Sequence, residues 1–208
     1  LRLDRASATD RRTDDGMHHD MHGDDMPGHG MDMPGHMDST SGQTRTENLR
    51  SGFLRHEWQR DGLGTYIGVG HVSRMPDYWE LFSPDRGPMG SINAFDGIQP
   101  ERTTQLDAGL NYRSQRLDAW LSAHAGRIDD YILFTYSAGG MMGPSSRATN
   151  VDAAIRGAEA GVEYRPLDAL KLGATLAYAW GENRDSGAPL PQMPPLELRT
   201  TATWDVGN

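Results

Sequence analysis

Leu106, Ala108, Leu110 and Tyr112 alternate with Gln105, Asp107, Gly109, Asn111 and Arg113, and this period of two constrains the chain more than any other feature. Such a stretch is apolar on one face and polar on the other, which a strand can present and a helix cannot. The pattern recurs. Leu117, Ala119, Leu121 and Ala123 alternate with Asp118, Trp120, Ser122 and His124. Ala158, Ala160, Val162 and Tyr164 alternate with Glu159, Gly161, Glu163 and Arg165. Leu172, Ala174, Leu176, Tyr178 and Trp180 alternate with small residues, and Leu198, Thr200, Ala202 and Trp204 with Arg199, Thr201, Thr203 and Asp205.

The connections alternate as well. Short turns are expected near Asp61-Gly62, Ser114-Gln115 and Pro166–Ala169, and long Gly/Pro-rich connections at 10–44, 73–99, 137–150 and 182–195. Tight turns at one end and long loops at the other describe an up-and-down transmembrane β-barrel, with turns in the periplasm and loops outside. Strands of about 9–11 residues are long enough to cross a bilayer when tilted. Trp58, Tyr66, Tyr112, Tyr164 and Trp204 lie near the periplasmic ends, and Tyr178 and Trp180 near the opposite ends, as interfacial aromatic rings do. A soluble β-sandwich or lipocalin-like barrel also alternates. The repeated Gln, Asp, Glu and Arg on the second face favour a wet lumen instead.

Composition excludes several classes. No run of about 18 apolar residues exists, so no transmembrane helix is expected. Hydrophobic residues make up 36% of the chain and Cys is absent, which leaves neither a large dry core nor a disulfide scaffold nor a cysteine zinc site. The net charge of -9 is concentrated between Asp10 and Asp38, where eight Asp meet two Arg. No basic stripe appears, so nucleic acid is not an expected partner. Catalytic signatures are absent: no nucleophile elbow, Walker sequence, zincin helix or dinucleotide fingerprint. No enzyme activity, catalytic residue or organic cofactor is expected. The ends, Leu1 and Asn208, read as cuts within a larger protein.

The 10–44 segment has no hydrophobic period and repeats Asp25-Met26-Pro27-Gly28-His29-Gly30-Met31 as Asp32-Met33-Pro34-Gly35-His36-Met37. Pro and Gly in each unit exclude a helix. Six Met (Met17, Met21, Met26, Met31, Met33, Met37) and five His (His18, His19, His22, His29, His36) fall between positions 17 and 37. Thioether sulfur is soft and uncharged and suits Cu(I), while imidazole takes Cu(II), Cu(I), Zn or Ni. Zn or Ni binding needs only His and Asp, so the added Met points to copper, with Cu(I) favoured and Cu(II) possible. A loop of this composition predicts several weak, exchangeable sites, because ordering it costs binding energy. A solvated acidic loop without a ligand is the plain alternative. Met89, Met141 and Met142 read as loop packing, His71 and His124 as lumen residues, His56 as structural, and Asp129-Asp130 as the turn of an outer loop.

Four motifs add a family resemblance over residues 74–194. Arg74-Met75-Pro76-Asp77-Tyr78-Trp79-Glu80-Leu81-Phe82 resembles a segment of TonB-dependent outer-membrane receptors, and Pro100-Glu101-Arg102-Thr103-Thr104 with Asp107-Ala108-Gly109 is similar to the strand that follows it, with Asp where the family more often has Glu. Asn150-Val151-Asp152-Ala153-Ala154-Ile155-Arg156-Gly157-Ala158-Glu159 and Leu190-Pro191-Gln192-Met193-Pro194 resemble two further motifs in the family's order. With the Met/His loop, the chain is similar to the copper-receptor branch.

The resemblance implies that residues 1–208 form about eight strands of a larger barrel, one of about 22 strands filled by an N-terminal plug. It further implies outer-membrane lipid as surroundings, coupling to the TonB complex through a plug region missing from this sequence, and a metal ion as substrate. Copper uptake with loop capture is the leading expectation. A siderophore or metallophore receptor with an incidental loop, and a surface protein that sequesters copper without transport, stand beside it. An isolated open sheet would leave unpaired backbone edges in the bilayer, so the segment alone is not expected to form a stable transporter.

Overall fold

The computed structural model describes residues 1–11, 40–83, 93–140 and 143–206. Eight strands follow one another in a single antiparallel sheet: β1 (Arg2–Thr9), β2 (Thr44–Arg60), β3 (Leu63–Arg74), β4 (Glu101–Arg113), β5 (Leu117–Gly140), β6 (Gly143–Leu167), β7 (Leu170–Asn183) and β8 (Glu197–Trp204). A single helical turn, α1 (Tyr78–Leu81), lies between β3 and β4. The sheet is all next-neighbour and is not closed.

The Asp61-Gly62 turn shows why these hairpins form where they do. Both residues have positive φ, 50° and 80°, the pair of left-handed conformations that matches strand twist in a two-residue hairpin. A side chain at Gly62 would strike the Arg113 carbonyl, whose residue donates its own N–H to the Gly62 oxygen at 2.9 Å. The turn is therefore locked both by its own backbone and by β4.

Register sorts every strand into two faces. Thr65, Leu110, Leu121, Ala160, Leu176 and Leu198 lie in one cross-strand row with Trp58. Rows above and below continue this face with Ile67, Leu106, Tyr112, Val162, Tyr164, Leu172 and Trp204. From β3 to β8 it carries no Asp, Glu, Lys or Arg between the tight turns and Arg102, Arg127 and Arg156. That is the lipid face. An arginine there costs roughly 2–4 kcal/mol at the bilayer midplane and about 0–1 near the interface, so the first arginines mark the upper rim.

The opposite face is the lumen wall, polar and closely fitted. Arg55 pairs with Glu57 at 2.6 Å, Gln105 donates to Asp107 at 2.7 Å, Arg113 pairs with Asp118 at 2.8 Å and Lys171 with Glu163 at 2.6 Å. Rings cover glycines of the neighbouring strand: Tyr66 at Gly109, Trp120 at Gly161 and His124 at Gly157. A Cβ at any of these glycines would collide with the ring above it.

Four expectations are corrected. The 137–150 connection is not a loop: β5 and β6 stay paired through Ser137–Ser145 to Gly140–Gly143, so their 24 and 25 residues far exceed a bilayer crossing. The excess projects beyond the rim as a long hairpin. Asp129-Asp130 is not the turn of an outer loop but a bulge inside β5, where Asp130 takes φ 59° and the register shifts between Ile128 and Tyr131. Tyr66 sits near a turn as expected but faces the lumen, in register with Gly109, while its neighbours Thr65 and Ile67 face lipid. His71 is on the lipid-facing side at the rim, with its Nδ1 2.9 Å from Thr104 Oγ1; of the two, His124 alone is on the lumen face. Met89, Met141 and Met142 lie outside the described residues.

Candidate functional site

All of the expected copper donors, Met17, His18, His19, Met21, His22, Met26, His29, Met31, Met33, His36 and Met37, lie outside the described residues. What the structure places is the root from which that segment departs. The segment connects β1 to β2, on the same side of the sheet as the β3–β4 and β7–β8 connections and opposite the tight turns. Among the described residues no group of three or more His, Asp or Glu is arranged to hold a metal ion.

The root is a buried polar clasp. Thr40 Oγ1 donates to Asp10 Oδ2 at 2.7 Å, and Asn93 Nδ2 donates to Thr40 Oγ1 at 2.8 Å. Asp10, Thr40 and Asn93 are 1%, 5% and 2% exposed, so these bonds are shielded from water. Backbone bonds close the same ring: Asp10 N to Gln43 O at 3.0 Å, Gly42 N to Asp10 O at 2.8 Å, and Gln43 N to Thr40 O at 3.1 Å. Buried polar groups are tolerated only when satisfied, so this arrangement fixes both stems of the Met/His segment and ties them to the β3–β4 connection. A cleft of about 390 Å³ lined by Thr9, Asp10, Arg11, Tyr78 and Phe82 opens beside it.

The β3–β4 connection is itself fastened from below by the first resemblance motif. Arg74 Nη1 and Nη2 reach Glu80 at 2.8 and 2.9 Å, and Arg74 Nε reaches Glu101 at 2.8 Å. One guanidinium fork thus joins the end of β3, helix α1 and the start of β4. The hydrogen bond to Glu80 is the main reason the Arg74 pKa lies above its ordinary value. Asp77 and Glu80 complete a capping box on α1, with Glu80 N to Asp77 Oδ1 at 2.9 Å and Asp77 N to Glu80 Oε2 at 2.7 Å. Glu101 also accepts the Ile132 N–H at 2.7 Å, which satisfies β5 just past its bulge, where β4 has ended.

Above this fork sits a small apolar core of Leu81, Ala94, Phe95, Ile98, Ile132 and Ala148. Phe82 stacks on Phe95 at 5.6 Å and meets Tyr78 at 4.9 Å. Arg45 of β2 donates to the Phe95 carbonyl at 2.8 Å and to that of Ile98. The connection therefore wedges between the two projecting hairpins, β1–β2 and β5–β6. The other two motifs have equally local tasks. Asn150 donates to Gln99 O at 3.0 Å and Asp130 O at 2.7 Å and accepts from Gln99 N at 2.7 Å, pinning the bulge. Leu190 is buried against Ile128 and Ala153, folding the β7–β8 connection back onto the sheet.

Sequence reasoning missed the clasp because Asp10 and Thr40 stand within polar loop composition and Asn93 within a separate loop. The repeated Asp and Ser/Thr content offered no signal to single them out.

A family model described as TonB dependent receptor-like, beta-barrel, matches residues 18–208. The chain belongs to the TonB-dependent receptor β-barrel family. Like other TonB-dependent receptors, it is an outer-membrane protein of Gram-negative cells. Among solved structures, this receptor barrel is similar to "Copper transporter OprC", at 48% identity and a TM-score of 0.79, over 99% of this chain and 30% of that one. It also shares its fold with the siderophore receptor PirA from Pseudomonas aeruginosa, at 13% identity and a TM-score of 0.57, over 78% of this chain and 31% of that one. No curated protein matches the sequence. This receptor segment spans about a third of the length of the solved receptors it matches.

Proposed function

We propose that this receptor barrel serves TonB-dependent copper uptake, with the 10–44 segment collecting copper at the external mouth. The observation that carries the reading is the 48% identity, over nearly the whole chain, to a protein described as a copper transporter. Donor chemistry supports it independently. Six thioethers and five imidazoles within 21 residues suit Cu(I) and Cu(II), and the sequence there has no apolar period that would call for methionines as packing.

The clasp supports a collecting role rather than a loose tail. Both stems are fixed at the rim, so the Met/His segment is tethered there at its two ends. Substrate then passes inward along the polar wall, and a plug moved through TonB controls that passage, as the family implies. Residues 1–208 act as one part of this barrel, and the transport site proper lies beyond the loop's weak sites.

Metal titration of the 10–44 peptide tests the donor assignment under reducing and oxidising conditions. Replacing all six Met by Leu is expected to abolish most Cu(I) binding and spare Cu(II), while His→Ala replacement removes Cu(II). Undiminished Cu(I) affinity in the Met-free peptide would falsify the thioether assignment. Copper accumulation by cells whose receptor lacks the segment reads the uptake role separately, and an unchanged rate would remove the loop from transport.

A further inference from the structure

The arginines that end the charge-free lipid face share one level. Arg50, Arg102, Arg127 and Arg156 stand ten or eleven positions from the turn-proximal ends of β2, β4, β5 and β6, and Trp180 stands ten from that of β7. Ten residues of tilted strand rise about 25 Å, the height of a barrel's apolar band. All four arginines are exposed.

Their partners differ. Arg102 is paired with Asp130, and Arg127 with Asp129 and, at 3.0 Å, with Asp152. Arg156 has no ion pair among the described residues; its guanidinium lies 4.1 Å from the centre of the Trp180 ring, its direct cross-strand neighbour. One face of the guanidinium is thus packed and oriented, while its N–H donors are left for a partner outside the protein. Arg127 lies diagonally across from it, since Arg127 pairs with Ala154 and Arg156 with Ala125.

Below Arg156 the lipid face has relief. Ala125, Ala123 and Ala158 form a low floor between Leu106 and Leu110 on β4 and Leu176 and Tyr178 on β7. Those flanking side chains are 39–50% exposed and stand above the floor as ridges.

We propose that this face docks a phosphorylated lipid of the outer leaflet, its phosphate on Arg156 beside Trp180 and Arg127, and an acyl chain along the alanine floor. Charge complementarity selects the occupant. A guanidinium at the upper interface with packed geometry and free donors matches a phosphate bidentately, whereas a neutral headgroup leaves those donors to water. Of the acidic groups nearby, Asp129, Asp130 and Asp152 are occupied by Arg127 and Arg102, and Glu182, diagonal to Arg156 one row above Trp180 on β7, makes no ion pair with it among the described residues.

The test is native mass spectrometry of the full-length receptor in detergent, with bis-phosphorylated lipid A and its dephosphorylated form as probes. Wild-type protein is expected to retain the phosphorylated probe about tenfold more strongly, and equal retention of the two overturns the proposal without any variant. Arg156→Gln is expected to erase most of that preference, and Arg156→Lys, which keeps the charge, to retain part of it. Heat-modified gel mobility confirms that each barrel is folded. A folded Arg156→Gln barrel with the wild-type preference also overturns the assignment.

Discussion

Asp10 and Thr40, thirty positions apart, share a 2.7 Å hydrogen bond shielded from solvent, and Asn93 from a different connection donates to the same Thr40 oxygen. One hydroxyl thus acts as donor to one chain segment and acceptor from another, so the described stems of two external connections are joined at a single oxygen.

Thr40→Val removes both bonds while keeping the volume. A cost of about 1–3 kcal/mol is expected, confined to the rim because the strands below do not depend on it. Amide exchange at Asp10, Gly42 and Gln43 should speed up while exchange in β4 stays unchanged. Unaltered rim exchange would remove the clasp from the account.

Glu101→Ala separates two consequences of the Arg74 fork. The Ile132 N–H loses its acceptor, and Arg74 keeps only Glu80. Faster exchange at Ile132 than at Phe134 is expected. Arg74→Lys cannot span both carboxylates, so it should loosen α1 by about 1–2 kcal/mol, after allowing for the partial exposure of Arg74.

Gly161→Ala sets a methyl group against the Trp120 ring on the lumen wall. Repacking should cost about 1–3 kcal/mol and turn the ring further into the lumen. A red-shifted tryptophan emission with a lowered thermal midpoint is the expected signature, and Trp120→Ala should rescue the midpoint.

Leu190→Ala opens the contact that folds the β7–β8 connection onto Ile128 and Ala153. The loss should be about 2 kcal/mol, at the low end for a buried leucine, since one side of this site is close to solvent. Proteolysis between Asn183 and Glu197 should rise before any global unfolding.

The wall was legible in the sequence because its information is local. Leu106 to Tyr112 declare their faces by alternation alone, and Asp61-Gly62 declares its turn by composition. Tyr66 shows where that stops: it breaks the apolar phase of Thr65 and Ile67, and only register reveals that Gly109 makes room for it. The β5–β6 projection was hidden for a related reason. Its Gly- and Ser-rich tip reads as loop, yet Ile132 and Ala148 are held by Leu81 and Phe95 from a connection some fifty residues away in sequence. The clasp depends on the same kind of distant pairing. The four motifs, visible from the start as resemblance, turn out to be fasteners of loops to the rim.

Pinning Asp10 to Thr40 also sets a leash. Thirty residue steps, even fully extended, return to their own starting point, so no donor between them can stand farther than about 50 Å from the barrel mouth. Whatever path the segment takes, its reach into the surroundings has a hard upper limit, set by the two stems alone.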